Sequence, residues 1–293
     1  YVLGDNDLAD AIDPDLQEII AGDMGPNVEI LVQVDRPNAA IERLKLTPGR
    51  IERLEVLMGE EDSTDPQRLA DFLSWADDRS PATRTALIFW NHGGGWFGFG
   101  HDERPGANRG PSSMNLAAVT QGIAAGRGCD PDGPCADPLA LIGFDACLMA
   151  SSEVATELRH LGRVMVASAE LEPGQGWWYT PFMDALGQRS QMDERDLAGQ
   201  IIDGYDESFA LRRNPTVTLS AIELNQFGAF LDGFQALTET LQASMANRAG
   251  WLPIARAQSR SLTYATDHND EIDLGTFLEG LLHPADGIAE AGI

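Results

Sequence analysis

Two apolar stretches of the sequence end in residues that could together perform acyl transfer. His92 follows "TALIFWN" (85–91), and Cys147 follows "LALIGFDA" (139–146). In open α/β sheets, sites form outside the carboxyl ends of strands, and parallel strands separated by one crossover are usually neighbours. A cysteine can attack a carbonyl group while a nearby imidazole passes a proton to the leaving amine. The pattern therefore predicts a Cys-His acyl-transfer site.

The residues beside this pair fit the same chemistry. The N–H groups of Gly93 and Cys147 are the predicted donors to the oxyanion that develops in the transition state. Cys147 lies at the junction between its strand and the helix predicted at 150–160, whose N-terminal dipole and free amides would favour the thiolate. Asp145 lies two residues before Cys147, so both side chains project on the same side of an extended chain. A carboxylate there would pair with a cationic substrate side chain.

Each of these residues also has a structural explanation that the sequence leaves open. A single cysteine at the end of an apolar strand is most often a small buried hydrophobic residue. His92 could occupy a turn beside its glycines, and Asp145 could cap a helix. The segment "NHGGGW" (91–96) matches neither the dinucleotide fingerprint nor the P-loop. Nucleotide binding is therefore not predicted.

The charge balance excludes one class of partner and favours another. The chain has 46 Asp and Glu against 20 Lys and Arg, with a net charge of -26. So few cations argue against nucleic acid, because binding to it depends on neutralising phosphates. No stretch reaches the ~18 to 20 apolar residues of a membrane span. The charge favours either a solubilising surface or attraction for cations, namely Ca²⁺ or peptides that carry Arg and Lys.

Two of the three cysteines flank a predicted turn. Cys129 and Cys135 enclose "DPDGP", whose residues favour a tight turn that would bring the thiols together. We predict a disulfide, and hence an oxidising compartment. A zinc site is less favoured, because two cysteines lack the other two ligands of a closed site.

Strand and helix patterns alternate along the chain, which predicts an α/β fold with a mainly parallel sheet covered on both faces. The segment 100–115 is rich in Gly, Pro, Asn and Ser and predicts an exposed loop. Besides the two apolar strands above, we predict strands at 28–34, 50–57, 163–169 and 216–223, and helices near 8–22, 66–78, 115–125, 150–160, 180–212 (two helices), from 226 onward and at 270–282.

Together, "NHGGGW" and "GFDACLMA" resemble the clostripain family of cysteine peptidases, in the caspase-like clan that also holds gingipains, legumains and separases. The pattern of the clan is a strand ending in His-Gly and a later strand ending in Ala-Cys. These are His92-Gly93 and Ala146-Cys147 in this chain. Asp145 stands where the caspase signature has Gln, which favours the clostripain branch. The resemblance covers roughly residues 1–225.

The resemblance implies a caspase-like α/β/α sandwich in residues 1–225, with 226–293 as a C-terminal helical region packed on this core in the same domain. It implies endopeptidase cleavage after basic residues, Arg above all and Lys as a second choice. His92 corresponds to the catalytic histidine, Cys147 to the nucleophile and Asp145 to the acid near the primary specificity pocket. Further pocket residues are expected from Asn6 and from 168–175, including Ser168, Glu170 and Glu172.

Members of the family often mature by self-cleavage in the loop after the histidine. That loop contains Arg104 and Arg109 here. Arg104 precedes Pro105, which restricts the backbone on the leaving side, so Arg109-Gly110 is the predicted site. A loop that merely contains arginines is the alternative. Some relatives require Ca²⁺, but the sequence has no EF-hand pattern, so calcium stays open without assigned ligands.

The predicted protein is a secreted or periplasmic cysteine endopeptidase, monomeric or self-cleaved into two associated chains. It would act on protein or peptide substrates with basic residues, and neither nucleic acid nor membrane is expected as a partner. Two alternatives remain. One is a non-enzymatic caspase-like module that binds Ca²⁺ or basic peptides, and the other is a peptidase of the same clan with a different primary specificity.

Overall fold

The chain folds into two compact units, residues 1–225 and residues 226–293. The computed structural model describes residues 1–58, 62–106, 109–212, 217–264 and 271–283. Within these ranges, none of the helices combines the length and the apolar content that a membrane crossing requires.

An eight-stranded sheet forms the centre of the first unit, as far as the structure describes it. In chain order, the strands of this unit are β1 (Val2–Leu3), β2 (Ile30–Asp35), β3 (Glu42–Thr47), β4 (Arg50–Val56), β5 (Ala86–Trp90), β6 (Phe99–Asp102), β7 (Ser112–Met114), β8 (Leu139–Asp145), β9 (Gly162–Ala167) and β10 (Ser220–Glu223). The large sheet has the order β10-β9-β8-β5-β1-β2-β3-β4. Its five central strands, β9 to β2 in this order, run parallel, while β10, β3 and β4 are antiparallel to their neighbours. The predicted α/β class and mainly parallel sheet are confirmed.

Helices cover both faces of the sheet, which gives the predicted three layers. The helices of this unit are α1 (Ile12–Ala21), α2 (Pro66–Arg79), α3 (Leu116–Arg127), α4 (Ser152–Leu158), α5 (Tyr179–Gln188) and α6 (Glu194–Arg212). On one face, α1, α5 and α6 bury a core with strand residues such as Leu141 and Val166. On the other face, Phe72 of α2 packs on Tyr1, which packs on Phe89 of β5. Every residue of β8 is buried, as expected for a strand between two helical layers.

Local sequence sets where the helices begin. The side chain of Asp65 accepts a hydrogen bond from Gln67 N–H ahead of α2, and Pro66 occupies the first turn. Asn115 caps α3 in the same way through Ala118 N–H, and Ser151 caps α4 through Val154 N–H. These caps satisfy backbone donors that the helix itself leaves unpaired.

The structure corrects the prediction of an exposed loop over 100–115. The ends of this segment form an antiparallel pair, β6 with β7, in which Phe99 and Met114 are buried. Phe99 packs against Phe89 at 5.0 Å between ring centroids, and against Phe144 at 5.8 Å. Burial of these apolar residues outweighs the turn-forming composition around them.

Other elements differ in extent from the prediction. Strand β3 was not predicted, and β4 is a largely exposed strand at the sheet edge. Cys129 and Cys135 are joined by a disulfide, with their Cα atoms 5.0 Å apart. Positions 107–108, 216, 265–270 and 284–293 belong to predicted segments and lie outside the described residues.

The second unit contains three helices and a short strand pair in its described part. These are α7 (Phe227–Ser244), α8 (Arg248–Arg260), β11 (Thr263–Tyr264), β12 (Glu271–Ile272) and α9 (Leu274–Leu282). The long helix predicted from 226 ends at Ser244, and a second helix begins after Asn247, which caps it. The packing of this unit on the core stays a prediction.

Candidate active site

The two strands that carry His92 and Cys147 are neighbours, as the sequence predicted. Strands β5 and β8 pair in parallel with Trp90 opposite Asp145. Asn91 N–H donates to the Asp145 carbonyl at 3.4 Å just beyond this pair. His92 and Cys147 therefore leave the sheet at the same edge, each two residues after the last matched pair.

The imidazole of His92 is held by an aspartate that sequence reasoning missed. Its Nε2 lies 2.7 Å from Asp7 Oδ1, and both side chains are solvent-accessible, at 42% and 76% exposure. The hydrogen bond to His92 lowers the pKa of Asp7. Asp7 lies in the loop after β1, the strand next to β5 in the sheet, so it approaches the same edge. With Nε2 on Asp7, the ring has Nδ1 left for proton transfer.

Buried amides fix the backbone beneath the histidine. Asn91 donates to the carbonyl groups of Leu3 and His101, and its side-chain oxygen accepts from His92 N–H. Asn6 donates to the same two carbonyl groups, at 3.0 and 2.8 Å. Asn6 is buried and its oxygen accepts from Leu8 N–H, so backbone groups engage its side chain, and the predicted substrate contact stays a prediction.

The thiol of Cys147 lies against the backbone of the loop that follows β9. Glu172 N–H donates to Sγ at 3.2 Å, and Sγ lies 3.8 Å from the Glu172 carbonyl oxygen. Burial raises the pKa of the Cys147 thiol, the amide of Glu172 opposes this, and Asp145 raises the pKa further. Among the described residues, no hydrogen bond joins this thiol to the His92 ring. Burial and Asp145 thus favour the neutral thiol of Cys147 over the thiolate.

The helix predicted at 150–160 is present as α4, which begins at Ser152. Between Cys147 and this helix, Leu148 takes a left-handed turn with φ of +66°. Two hydrogen bonds fix this turn to the β9 loop, from Leu148 N–H to the Glu170 carbonyl and from Ala150 N–H to the Ser168 carbonyl. The thiol consequently lacks the predicted stabilisation by a helix N-terminus.

The backbone of Gly93 approaches the nucleophile's turn closely. A Cβ atom at position 93 would lie 2.0 Å from the Cys147 carbonyl oxygen, so only glycine fits. Gly93 lies opposite Phe99 in an isolated antiparallel bridge. The two hydrogen bonds of this bridge come from Gly94 N–H and Gly100 N–H, so the N–H of Gly93 takes no part in them. Within the described ranges, neither Gly93 N–H nor Cys147 N–H donates to another residue. These two amides therefore stay the candidate donors to an oxyanion near Cys147.

Asp145 is buried beneath the thiol and accepts several hydrogen bonds. Tyr179 donates its hydroxyl to Oδ2 at 2.7 Å, and Trp177 N–H donates to Oδ1 at 3.2 Å. Burial raises the pKa of Asp145 to about 6, although these donors oppose the shift. A Cβ at Gly176 would lie 2.7 Å from Asp145 Oδ1, so glycine lets the loop close over the carboxylate. The capping role that the sequence left open is not what the structure shows.

Glu172 places a second carboxyl group beside Asp145. Both of its carboxylate oxygens are buried, and no N–H or O–H of the described residues donates to either. Burial raises the pKa of Glu172 well above its usual range, and the neighbouring Asp145 raises it further. The two other predicted pocket residues of this loop have different surroundings. Ser168 is buried and bonds to the Glu170 carbonyl and to Thr218, and the Glu170 carboxylate accepts from Leu171 N–H.

The two arginines of the loop after the histidine differ in exposure. Arg104 pairs with the buried Asp5, and its own N–H donates to Asp102. Arg109 is 67% exposed, with Nη1 3.8 Å from Asp62 Oδ2. Across the described part of the chain, no group of three or more His, Cys, Asp or Glu side chains is arranged to hold a metal ion.

Comparison with known proteins identifies the family of the chain. The chain matches the family model described as the clostripain family over residues 1–281. It has no match among curated protein sequences.

Solved structures share the fold. A secreted C11 cysteine protease from Bacteroides thetaiotaomicron, in complex with an irreversible peptide inhibitor, is 21% identical, with a TM-score of 0.70 over 96% of this chain and 76% of that one. An inactive zymogen C11 protease from Parabacteroides distasonis is 19% identical, with a TM-score of 0.69 over 95% and 75% of the two chains. The family match spans nearly the whole chain, and these structures have the same caspase-like architecture. The chain belongs to the clostripain family of cysteine peptidases.

Proposed function

We propose that this peptidase is an endopeptidase that cleaves after basic residues, Arg above all, with Cys147 as nucleophile and His92 as its proton partner. The observation that carries the proposal is the buried carboxylate of Asp145, two residues before Cys147 in a chain of net charge -26. A buried carboxylate next to the nucleophile favours a substrate side chain that brings a positive charge. The guanidinium group of Arg offers five donors in a planar fork that suits a carboxylate.

The chemistry follows from the arrangement of these groups. The Cys147 thiol gives its proton to His92, and the sulfur attacks the carbonyl carbon of the substrate. The N–H groups of Gly93 and Cys147 hold the oxyanion, and the His92 imidazolium then protonates the departing amine as the C–N bond breaks. Water attacks the thioester in the second half, which releases the acid and restores the thiol.

Hydrolysis of matched peptides tests both the nucleophile and the preference. Fluorogenic peptides that differ only in Arg, Lys or citrulline before the cut should be cleaved in that descending order by the wild-type protein. Cys147→Ala should abolish hydrolysis of all three. Asp145→Asn, which keeps the shape of the side chain, should lower kcat/KM for the Arg peptide by about 30-fold or more, because truncating one partner of a buried charge pair costs roughly 2 to 5 kcal/mol.

Hydrolysis of the citrulline peptide serves as the control, since a neutral side chain has no charge to lose and should change little in Asp145→Asn. An equal loss on both peptides would contradict the specificity role and favour a different primary preference. A wild-type protein that cleaves no peptide, and is not labelled at Cys147 by an Arg chloromethylketone, would favour the non-enzymatic binding module.

We also propose self-cleavage after Arg109. This side chain is exposed, whereas Arg104 is held by Asp5 and precedes Pro105. Intact mass should show two fragments in wild type and one chain in Cys147→Ala. Arg109→Ala should remain whole, with Arg104→Ala as the matched control that is still cut. Incubation with and without chelator tests the open prediction of a calcium requirement.

A secreted or periplasmic location is proposed from the disulfide between Cys129 and Cys135, because such bonds persist in oxidising compartments. Fractionation of the producing cell tests it. Recovery of the protein in the cytoplasm with both thiols reduced would contradict it.

A further inference from the structure

Two buried carboxyl groups lie near Cys147, where one would suffice to attract a cation into the proposed specificity pocket. Asp145 and Glu172 both have buried carboxylate groups, and they come from strand β8 and from the loop after β9. Their surroundings differ sharply. Asp145 accepts hydrogen bonds from the Tyr179 hydroxyl and the Trp177 backbone N–H, whereas Glu172 has, among the described residues, only the Asp145 carboxyl group and the Trp177 indole nearby, and neither meets its oxygens with full hydrogen-bond geometry. A buried acceptor without a donor is costly, so the arrangement calls for a ligand or a proton.

A proton satisfies the empty pocket. Two neighbouring buried carboxylates cannot both be charged at low cost, and the pair then titrates as a unit. Donors to Asp145 favour its charged form, so the proton resides on Glu172, whose pKa burial raises well above normal. The other titratable groups that act on the pair carry negative charge or none at neutral pH. They are Asp15 and Glu18 of α1, Tyr179 of α5, Tyr205 of α6, and Cys147.

We propose that the empty pocket holds one proton between Asp145 and Glu172, and that the cationic side chain of the substrate displaces this proton when it binds. The inference rests on the proposed preference for basic residues. A guanidinium or amidinium group has N–H donors on every edge, and a protonated carboxyl group would direct its own O–H toward them. Once Glu172 loses its proton, both of its oxygens become acceptors for the bound cation. Glu172 is then a specificity-determining residue beside Asp145.

The proton links affinity to pH in a defined direction. The pKa of Glu172 is raised while the pocket is empty, and a bound cation lowers it. The bound state therefore carries fewer protons, so the dissociation constant falls as pH rises between the two pKa values. One proton exchanged per cation limits this change to about tenfold per pH unit.

Calorimetric titration with benzamidine, an amidinium that does not react with thiols, tests the exchange directly. The full-length chain with Cys147→Ala is used, so that the thiol contributes no protons. Binding heats at pH 7 are compared in phosphate and in Tris, whose ionisation enthalpies differ, which gives the number of protons released. We expect a release that approaches one proton per benzamidine, and a Kd that falls with rising pH.

Adding Glu172→Gln should abolish the proton release and flatten the pH dependence, while benzamidine still binds through Asp145. The matched control is Glu153→Gln, which removes one exposed charge from α4 and should leave the release unchanged. Two results would overturn the inference: benzamidine binding without proton release in the Cys147→Ala parent, or full proton release in Glu172→Gln. If Arg peptides are still preferred, the proposed function stands and only this inference fails. Absence of binding together with no preference for Arg peptides would overturn the proposed function as well.

Discussion

Substitution of Gly93 by alanine tests whether the two strand ends meet as closely as the structure shows. A Cβ at this position would lie 2.0 Å from the Cys147 carbonyl oxygen and 2.9 Å from Met149 Cγ. Non-bonded heavy atoms pack at about 3.5 Å, so the two segments must separate by more than roughly 1 Å. A misplacement of this size can lower the rate by about 100-fold, because the oxyanion donors and the thiol are then no longer positioned around the same carbonyl group of the substrate. We therefore expect Gly93→Ala to lower kcat/KM by about 100-fold.

The neighbouring glycine provides a matched control. A Cβ at Gly94 would lie 3.5 Å from the Gly98 carbonyl oxygen and 3.6 Å from Phe97 Cβ, which are ordinary contacts. Its φ of -128° is open to alanine, so Gly94→Ala should stay within about threefold of wild type. The assay is hydrolysis of an Arg fluorogenic peptide, with thermal unfolding to verify that both variants fold.

The rate of Cys147 alkylation by iodoacetamide adds a readout that does not depend on peptide specificity. Overpacking should cost Gly93→Ala about 1 to 3 kcal/mol, which lowers its Tm but leaves unfolding cooperative. Full activity of Gly93→Ala at an unchanged Tm would refute the close approach. Equal losses of kcat/KM in both glycine variants would show that activity depends on the loop in general and not on the close approach of Gly93 to Cys147.

Three further predictions concern charged groups. Asp7→Asn should lower kcat by only two- to fivefold, because the bond to His92 is exposed, and an unchanged kcat and pH profile would argue against a positioning role. Burial raises the pKa of Asp15 to about 8, so the folded state holds a proton that the unfolded state loses near pH 4. Stability should therefore fall as pH rises from 4 to 8, and Asp15→Asn, which keeps an acceptor for Trp90 Nε1–H, should flatten this fall in Tm. In Glu172→Gln, where a bound cation offsets Asp145 without release of a proton, the pKa of the Cys147 thiol should drop when benzamidine binds, as measured from thiolate absorbance with a Cys147→Ala blank. A rise would contradict the charge argument.

The strands that position the site could be predicted because strands buried on both faces consist mainly of apolar residues. Both faces of β8 are covered, so all seven residues are buried, in agreement with the apolar run at 139–146. Strand β3 escaped prediction because "ERLKLT" (42–47) mixes charged and apolar residues, although Arg43 is buried through Gln33 and Glu55. The pair β6 and β7 was hidden by turn-forming residues whose packing depends on distant partners.

The same distinction applies to the candidate site: residues placed by strands could be predicted, and contacts made by loops could not. The ends of the apolar strands place His92 and Cys147 at one edge of the sheet, and the two-residue period of a strand places Asp145 on the same side as Cys147. Both of these patterns can be found in a single sequence. Asp7 contacts a residue 85 positions away, and Glu172 one 25 positions away, through loops without periodic structure. Such contacts depend on how the loops fold over the sheet edge. The left-handed turn at Leu148 has the same cause, since hydrogen bonds to the β9 loop fix it.

Binding of a charged substrate side chain and formation of the Cys147 thiolate both depend on the buried negative charge of Asp145. Burial keeps the Cys147 thiol neutral, and the Asp145 carboxylate, two residues away in sequence, raises its pKa further. In wild type, the proton released from Glu172 balances the charge of the bound cation, so the effect of Asp145 on the thiol should persist. In Glu172→Gln, which has no proton to exchange, a bound cation offsets the negative charge of Asp145 where the thiolate must form, so it removes one of the terms that hold the thiol neutral. A neutral substrate leaves this term in place and must bear the full cost of forming the thiolate. Under the proposed preference for basic residues, the charge of the substrate should therefore change kcat as well as KM in Glu172→Gln.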